Sequence, residues 1–326
     1  MPRYSPLIII LLLIVLAGCS GISSETGKEN STVVMKTTVD SGDEDLTEGY
    51  EEEQGTDPTV ADTDEDGLDD PTEVERVTDA TVADIDGDGI EDGTEVSLGT
   101  DPLDSDTDGD NLVDGAEVNN KGALPGADPL QMDIFLEIDY MNDYSIPDTE
   151  LSKIKDEFRT ASVTNPDGSN GINLHVTRDN KVSYESVLSD DEWSNIKSND
   201  FDHHGEGYHY VVLMNHTTLP AQPDDNRDLY DGSGGNGFIT VTGTADDLRI
   251  GTVFMHELGH SLGLSPNIYR GIDSTQISFT NYHSVMSYNT PYDYYGYSGS
   301  ESQFSDWDYL EENLYTPSTV NLNNSS

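Results

Sequence analysis

The sequence predicts an α/β (α+β) fold, with three layers built on a mixed sheet, for residues 130–326, here called the sheet domain. Apolar runs typical of strands cover residues 132–139, 171–177, 208–214 and 237–242. Amphipathic segments typical of helices cover residues 148–160 and 305–314, and such an alternation favours helices layered on a sheet. Residues 55–129, here called the repeat region, lack these runs and repeat acidic residues at a fixed period. We therefore expect two regions, of which the repeat region has little regular secondary structure.

The charge balance excludes a nucleic-acid-binding role as the default, because phosphates would be repelled. The 326 residues carry a formal net charge of −51, from 65 Asp and Glu against 14 Lys and Arg. Acids spread over the whole surface are typical of proteins from high-salt environments, where screening removes most self-repulsion. We predict a halophilic, archaeal source; the alternative is an acidic, calcium-rich extracellular protein of an ordinary bacterium.

The first 19 residues have the pattern of an export signal. Arg3 precedes an apolar run over residues 7–16, which is shorter than the ~20 residues that span a bilayer. Residues 16–19 then match a lipobox that ends at Cys19, which is the only cysteine, so no intrachain disulfide can form. In this segment the chain resembles bacterial and archaeal lipoproteins. The resemblance implies a chain lipid-anchored through Cys19 at the extracellular face of the cell membrane; the alternative is an uncleaved N-terminal anchor.

Residues 20–54 are acidic and poor in aromatic side chains. Such a composition cannot bury a core, so we expect a disordered linker there.

Three acidic segments of the repeat region align without gaps. They begin at Asp62, Asp84 and Asp106, so their period is 22 residues. Carboxylates at positions 1, 3, 5, 9 and 12 have the ligand spacing of an EF-hand calcium loop, and Gly67, Gly89 or Asn111 stands at the sharp turn. The predicted calcium ligands are Asp62, Asp64, Asp66, Asp70 and Glu73; Asp84, Asp86, Asp88, Asp92 and Glu95; and Asp106, Asp108, Asp110, Asp114 and Glu117.

The period leaves ten residues between loops, too few for an EF-hand helix on each side. The segments resemble instead thrombospondin type 3 repeats, in which calcium ions substitute for a hydrophobic core. The resemblance implies a stalk that unfolds without calcium, and Asp57, Asp79 and Asp101 share the repeat phase as further candidate ligands. The alternative is a solvated acidic linker, against which the fixed period argues.

The motif H-E-x-x-H occupies residues 256–260. On a helix, His256 and His260 lie on one face, so both imidazoles can reach one ion. Two histidines form half of a catalytic zinc site, and Glu257 can take a proton from the attacking water. Residues 244–247 fit a capping box that opens this helix.

Downstream residues extend the motif. Gly263 gives H-E-x-x-H-x-x-G, and residues 284–288 read Ser-Val-Met-Ser-Tyr. Over the sheet domain the chain thus resembles the metzincin zinc metallopeptidases, whose astacin and serralysin branches carry such a Met-turn. The resemblance implies that Met286 is the apolar floor of the zinc site and that Tyr288 reaches the metal or the oxyanion.

The sequence departs from that family at the third zinc ligand, because Pro266 occupies the expected position and has no donor atom. Asp273 is our first candidate for the ligand, since it follows the helix closely enough to fold back and carboxylates bind zinc. His283, three residues before Met286, is the second candidate, and a site without a third ligand is the remaining possibility.

These residues predict an endopeptidase that acts on peptide or protein substrates with zinc and calcium as cofactors. Glu257 serves as general base, Tyr288 stabilises the oxyanion, and the substrate pairs with an edge strand at 237–242. The alternative is a catalytically inactive, metallopeptidase-like surface protein for binding or adhesion, which Pro266 favours. A calcium buffer would explain the repeat region alone.

Overall fold

A computed structural model describes residues 46–141, 144–182, 190–214, 233–235, 237–242, 247–291 and 293–322. Several predictions concern residues outside these ranges: the export signal with Cys19, most of the disordered linker, and the capping residue Thr244. Within them, no helix combines the length and apolar character needed to cross a membrane.

The repeat region contains more helix than its sequence predicted. Helix α1 (Glu48–Gln54) lies just before this region, and α2 (Asp70–Arg76), α3 (Asp92–Leu98) and α4 (Asp114–Asn119) lie within it. The last three each begin at position 9 of an acidic loop, so the ten-residue gap has room for one helix after each loop, although not for one on each side. The expectation of little regular secondary structure was therefore wrong in this respect.

The repeat architecture also begins earlier than predicted. Helix α1 lies at the end of the segment expected to be a disordered linker, and Glu51 stands one 22-residue period before Glu73. Both carboxylates are fully buried, at 0% exposure. The pattern of a buried glutamate on a short helix therefore extends one period upstream of the three aligned loops.

The sheet domain continues the chain with nine elements. They are β1 (Asp133–Met141), α5 (Asp148–Arg159), β2 (Asn173–Val182), α6 (Asp190–Asn199), β3 (Tyr208–Met214), β4 (Ser233–Gly235), β5 (Phe238–Thr242), α7 (Asp247–Ser261) and α8 (Asp306–Asn313). The strands form one sheet in the order β2-β1-β3-β5-β4. Neighbours are parallel except β4 and β5, which are antiparallel. The predicted mixed sheet is confirmed.

The predicted edge position of residues 237–242 is wrong. β5 pairs with β3 on one side and with β4 on the other, so β4 is the edge strand beside it among the described residues. β4 is three residues long and reads Ser-Gly-Gly. It therefore lacks the alternating apolar pattern by which a strand is recognised in a sequence.

Alternate residues of β1 face two different layers. Ile134, Leu136 and Ile138 pack in one cluster with apolar residues of α5 and α7. On the opposite face, Phe135 packs with residues of the third repeat and Met141 packs with a residue of α6. Apolar packing thus continues across the predicted domain boundary at residue 130, because residues of the third repeat form part of the layer that covers the sheet.

Candidate metal centres

Helix α7 presents two histidines toward one point. The Nε2 atoms of His256 and His260 lie 3.2 Å apart. Each ring is held from behind by a carbonyl oxygen, with His256 Nδ1 2.9 Å from Val285 O and His260 Nδ1 2.7 Å from Leu264 O. A ring whose Nδ1 donates to a carbonyl keeps the lone pair of Nε2 available, which is the usual arrangement of a histidine that binds a metal.

Asp273 completes a triangle with these two histidines, and the three residues are here called the triad. Its Oδ1 lies 2.9 Å from His256 Nε2 and 3.2 Å from His260 Nε2. Ligands at ~2.0–2.1 Å from a tetrahedral zinc ion are ~3.3 Å from one another, so the spacing fits one ion. The three side chains are 13%, 15% and 23% exposed, which leaves one side open to a further ligand.

Neither the residue at the expected third-ligand position, Pro266, nor the second candidate, His283, belongs to the group of possible metal ligands formed by the triad. Pro266 is exposed. The ring of His283 packs edge-on against Phe279 with ring centroids 4.9 Å apart, and its Nδ1 is buried without a hydrogen-bond partner among the described residues. Asp273 reaches the histidines with a left-handed backbone, at φ 52°. Of the two ligands predicted from the sequence, the structure therefore brings Asp273 to the histidines.

Opposite charges stabilise the triad. Burial favours the protonated form of Asp273, but its hydrogen bonds to the two histidines outweigh burial and hold the pKa of the carboxyl well below its usual range. Burial likewise opposes the charge on His260, yet the hydrogen bond and charge of Asp273 raise the pKa of the imidazole. The site therefore favours positive charge beside the carboxylate, as a cation would supply.

Residues 284–288 support the triad from below. Met286 is fully buried, and a Cβ added to Gly259 would collide with its sulfur. Glycine between the two histidines thus lets the methionine approach the helix closely. The amide of Asp273 donates to Met286 O at 2.9 Å, so the same turn that orients His256 through Val285 also places the carboxylate ligand.

Glu257 and Tyr288 flank the triad. Glu257 is 7% exposed and follows His256 directly on α7, and its charge contributes to the raised pKa of His260. The ring of Tyr288 stacks on that of His256 with centroids 5.7 Å apart and an 18° angle between planes, and the residue is 57% exposed. Both predicted catalytic residues therefore lie next to the histidines, one buried and one at the open side.

The acidic loops of the repeat region form a first kind of carboxylate cluster from positions 1, 3 and 5. Oxygen atoms of Asp62, Asp64 and Asp66 lie within 4.8 Å of one another, as do those of Asp84, Asp86 and Asp88. The sharp turn that brings them together uses left-handed backbone at position 6, with φ 99° at Gly67, 98° at Gly89 and 68° at Asn111. This agrees with the predicted role of those residues.

A second kind of cluster lies between successive repeats. Asp66, Glu73 and Asp92 form one, and Asp88, Glu95 and Asp114 form the next, again with oxygens within 4.8 Å. Each cluster thus combines positions 5 and 12 of one loop with position 9 of the following loop, whereas the EF-hand spacing predicts that position 9 binds with its own loop. In its own loop that residue accepts hydrogen bonds, as Asp70 does from the amide and hydroxyl of Thr63, both at 2.8 Å.

Unpartnered buried oxygens mark both kinds of cluster. Among the described residues, carboxylate oxygens that are buried without a hydrogen-bond partner include those of Asp64, Asp86, Asp92, Asp108, Glu73, Glu95 and Glu117. Burial, together with neighbouring carboxylates, raises the pKa of Glu73 to about 8 and that of Glu95 to about 8. Burying carboxylates without partners is costly, and a hard cation with six to eight oxygen ligands removes that cost. The residues therefore fit calcium.

The three spacer aspartates, which the repeat phase makes further candidate ligands, lie in turns between the repeats. Asp57, Asp79 and Asp101 are exposed and accept hydrogen bonds from the backbone two residues later, at 3.0, 3.2 and 3.1 Å. They stabilise turns between the repeats.

These features define a mixed α/β protein that carries calcium-binding repeats. Residues 84–105 match the family described as the bacterial TSP3 repeat, which confirms the predicted thrombospondin type 3 character for the second repeat. No curated protein matches the chain in sequence. Among solved structures, a chain from a chaperone-substrate complex is similar with 13% identity and a TM-score of 0.29. The match covers 60% of this chain and 34% of that chain, and so low a score supports no argument about fold or function.

Proposed function

We propose that the chain is a zinc-dependent endopeptidase of the metzincin type. The observation that carries the proposal is the triad, in which two Nε2 atoms and one carboxylate oxygen converge at 2.9–3.2 Å beside Glu257. Three protein ligands with one open side are the composition of a catalytic zinc centre, whereas structural zinc sites use four protein ligands.

Each residue around the triad has a part in peptide hydrolysis. The triad would hold the zinc ion, which would supply a Lewis acid for the attacking water and for the scissile carbonyl group. Glu257 takes the proton of the attacking water and delivers it to the leaving amine. Tyr288, at the open side, donates its hydroxyl hydrogen to the developing oxyanion. Met286 fixes the floor under the two histidines.

The substrate is an extended peptide that pairs with β4. This strand borders the sheet next to β5, is antiparallel to it and contacts α7. An exposed strand edge binds a peptide through backbone hydrogen bonds. Pairing there would lay the scissile bond along the helix that carries the two histidines.

The N-terminal sequence sets the location of this activity. Lipidation at Cys19 would hold the chain at the outer face of the membrane, and the calcium-binding repeats would separate the peptidase from the surface. The acidic composition suits a high-salt environment.

The test is the variant Glu257→Gln, compared with Glu312→Gln, a change at an exposed glutamate of α8. We expect Glu257→Gln to keep its zinc and to lose peptidase activity on unfolded protein substrates by at least ~100-fold, since general base catalysis contributes that much. Glu312→Gln should match the unchanged protein. Undiminished turnover in Glu257→Gln would refute the mechanism. Zinc-loaded wild-type protein that cleaves nothing but binds peptide would favour the inactive surface-binding alternative.

A further inference from the structure

We propose that a calcium ion binds where the third repeat meets the first strand of the sheet, held by Asp110, Glu117 and Asp133. The ion would fasten the repeat region to the sheet domain. The proposal is independent of peptidase activity.

The repeat pattern predicts a calcium site at this position but supplies only two of its three carboxylates. Each inter-repeat cluster combines positions 5 and 12 of one repeat with position 9 of the next. In the third repeat, Asp110 and Glu117 occupy positions 5 and 12. The residue one period after Asp114 is Leu136, whose side chain lies in the apolar core. A ligand must therefore come from elsewhere.

Asp133, at the start of β1, takes the missing place. In the first two junctions, the position 5 carboxylate accepts a hydrogen bond from the next repeat: Gly93 N donates to Asp66 Oδ2 at 2.9 Å, and Gly115 N to Asp88 Oδ2 at 2.6 Å. In the third junction, the donor to Asp110 Oδ2 is the amide of Asp133, at 2.6 Å. A backbone amide of β1 thus donates to the third loop the same hydrogen bond that joins each of the first two loops to the next repeat.

Glu117 is the second observation that points to a ligand. It is fully buried, at 0% exposure, and neither carboxylate oxygen has a hydrogen-bond partner among the described residues. Burial and the charges of Asp110, Asp108 and Asp133 raise its pKa to about 11. A carboxyl group aimed into a pocket of further carboxylates calls for a cation.

The surroundings hold Asp133 in place while leaving it able to bind. Its Oδ1 lies 2.6 Å from His175 Nε2, and its Oδ2 accepts from the amide of Asp128 at 2.9 Å. Asp114, a member of the second inter-repeat cluster, likewise accepts from the amide and hydroxyl of Thr107. Each carboxylate oxygen has a second lone pair for a metal. The all-oxygen donor set suits calcium rather than zinc.

The ion would also support the end of the helix that carries the histidines. The carbonyl of Asp110 accepts from the hydroxyl of Thr316 at 2.6 Å, and the side-chain amide of Asn111 donates to Leu314 O at 2.6 Å. Between them, Tyr315 N donates to Leu262 O at 3.0 Å. Residues 314–316 therefore connect the third loop to the chain just after α7.

The test compares Glu117→Gln with Glu95→Gln in the full chain. Both variants remove a position 12 carboxylate, but only the first lies at the junction with the sheet. Calcium bound per chain is measured by titration calorimetry, and amide hydrogen exchange is followed by mass spectrometry with and without calcium. Magnesium alone serves as a control for divalent charge.

Each variant should bind one calcium ion fewer than the unchanged protein. In calcium, Glu117→Gln should exchange about tenfold faster at the start of β1 and at residues 314–316, whereas Glu95→Gln should not. Without calcium, Glu117→Gln should be at least as stable as the unchanged protein, because it removes a buried carboxyl group that has no compensating partner there. If Glu117 instead stabilised the fold without an ion, Glu117→Gln would be less stable than the unchanged protein in calcium-free buffer.

Two results would overturn the proposal: an unchanged calcium count in Glu117→Gln, or identical exchange at the junction in both variants. If Glu117→Gln does not fold, Asp133→Asn provides the same two readouts. An Asp133→Asn variant that binds the full number of calcium ions would equally refute the site.

Discussion

Acids predominate among the buried side chains of the repeat region, whereas apolar residues predominate in the sheet domain. The short helices of the repeats bury acids such as Glu73 and Glu95, while β1 buries Leu136 and its apolar neighbours, all at 0–1% exposure. Burial of apolar surface stabilises a fold without a ligand, whereas burial of carboxylates stabilises it only with a cation. We therefore expect the sheet domain to fold on its own and the repeat region to fold with its ions. The third repeat contributes both kinds of interior, since Leu112 packs on the sheet beside the acidic loop.

The largest expected effect is that of calcium removal. In a buffer with a calcium-selective chelator and zinc, amides over residues 57–119 should lose their protection from hydrogen exchange, because metal binding there is coupled to folding. Amides in the centre of β1 and β3 should stay protected. Equal protection of the repeat region with and without calcium would show that its own contacts suffice and would remove the contrast between the regions.

Two substitutions should show that stability depends on calcium in the repeat region and does not depend on it in the sheet domain. Leu136→Ala removes a fully buried side chain and should lower the free energy of unfolding by roughly 2–5 kcal/mol, with or without calcium. Glu73→Gln should be destabilising in calcium and neutral or stabilising without it. Chemical denaturation in both buffers measures the difference. A loss in Glu73→Gln that is independent of calcium would contradict the account.

A third prediction concerns the ligands of the sheet domain. Asp273→Ala should weaken zinc binding by more than ~100-fold, since even partners outside the ligand shell cost 10–100-fold. His283→Ala and the exposed control Asp308→Asn should bind zinc as before. Competition with a fluorescent chelator measures zinc affinity, and calcium bound per chain should be unchanged in all three. If His283→Ala lost zinc and Asp273→Ala did not, the other candidate ligand would be correct.

The smallest effect is a dependence on pH in calcium-free protein. The pKa values of Glu73 and Glu95 are raised from 4.5 to about 8. The folded state therefore holds protons that the unfolded chain releases, so stability is present below pH 4.5 and is lost as pH rises toward 8. In calcium-free protein, the helical circular dichroism of the repeat region should therefore be stronger below pH 4.5 than at pH 8, and calcium should abolish this difference. A helical signal that rises with pH in calcium-free protein would contradict the burial of these carboxylates.

Local patterns allowed much of this molecule to be predicted. The apolar run predicted as a strand has the same bounds as β3, Tyr208–Met214, and the helix predicted over residues 305–314 begins where Ser305 caps α8 by accepting from Asp308 N at 3.1 Å. Both signals depend on neighbours in sequence. The i and i+4 spacing likewise predicted that His256 and His260 would converge.

Contacts between distant residues could not be read in the same way. Asp273 reaches the histidines through a left-handed residue and a bond to Met286, neither of which leaves a pattern in the sequence. The edge strand β4 is too short to alternate. Asp133 was assigned to a strand on its apolar neighbours, and nothing local distinguishes it as a candidate partner of Glu117.

The most direct test is the metal content of the folded chain, measured by elemental analysis after purification in high salt with calcium present. The account predicts about one zinc ion per chain in the sheet domain and several calcium ions in the repeat region. Folded, calcium-loaded protein without zinc would contradict it, because the triad would then be an ion pair between histidine and aspartate and the proposed peptidase would have no metal.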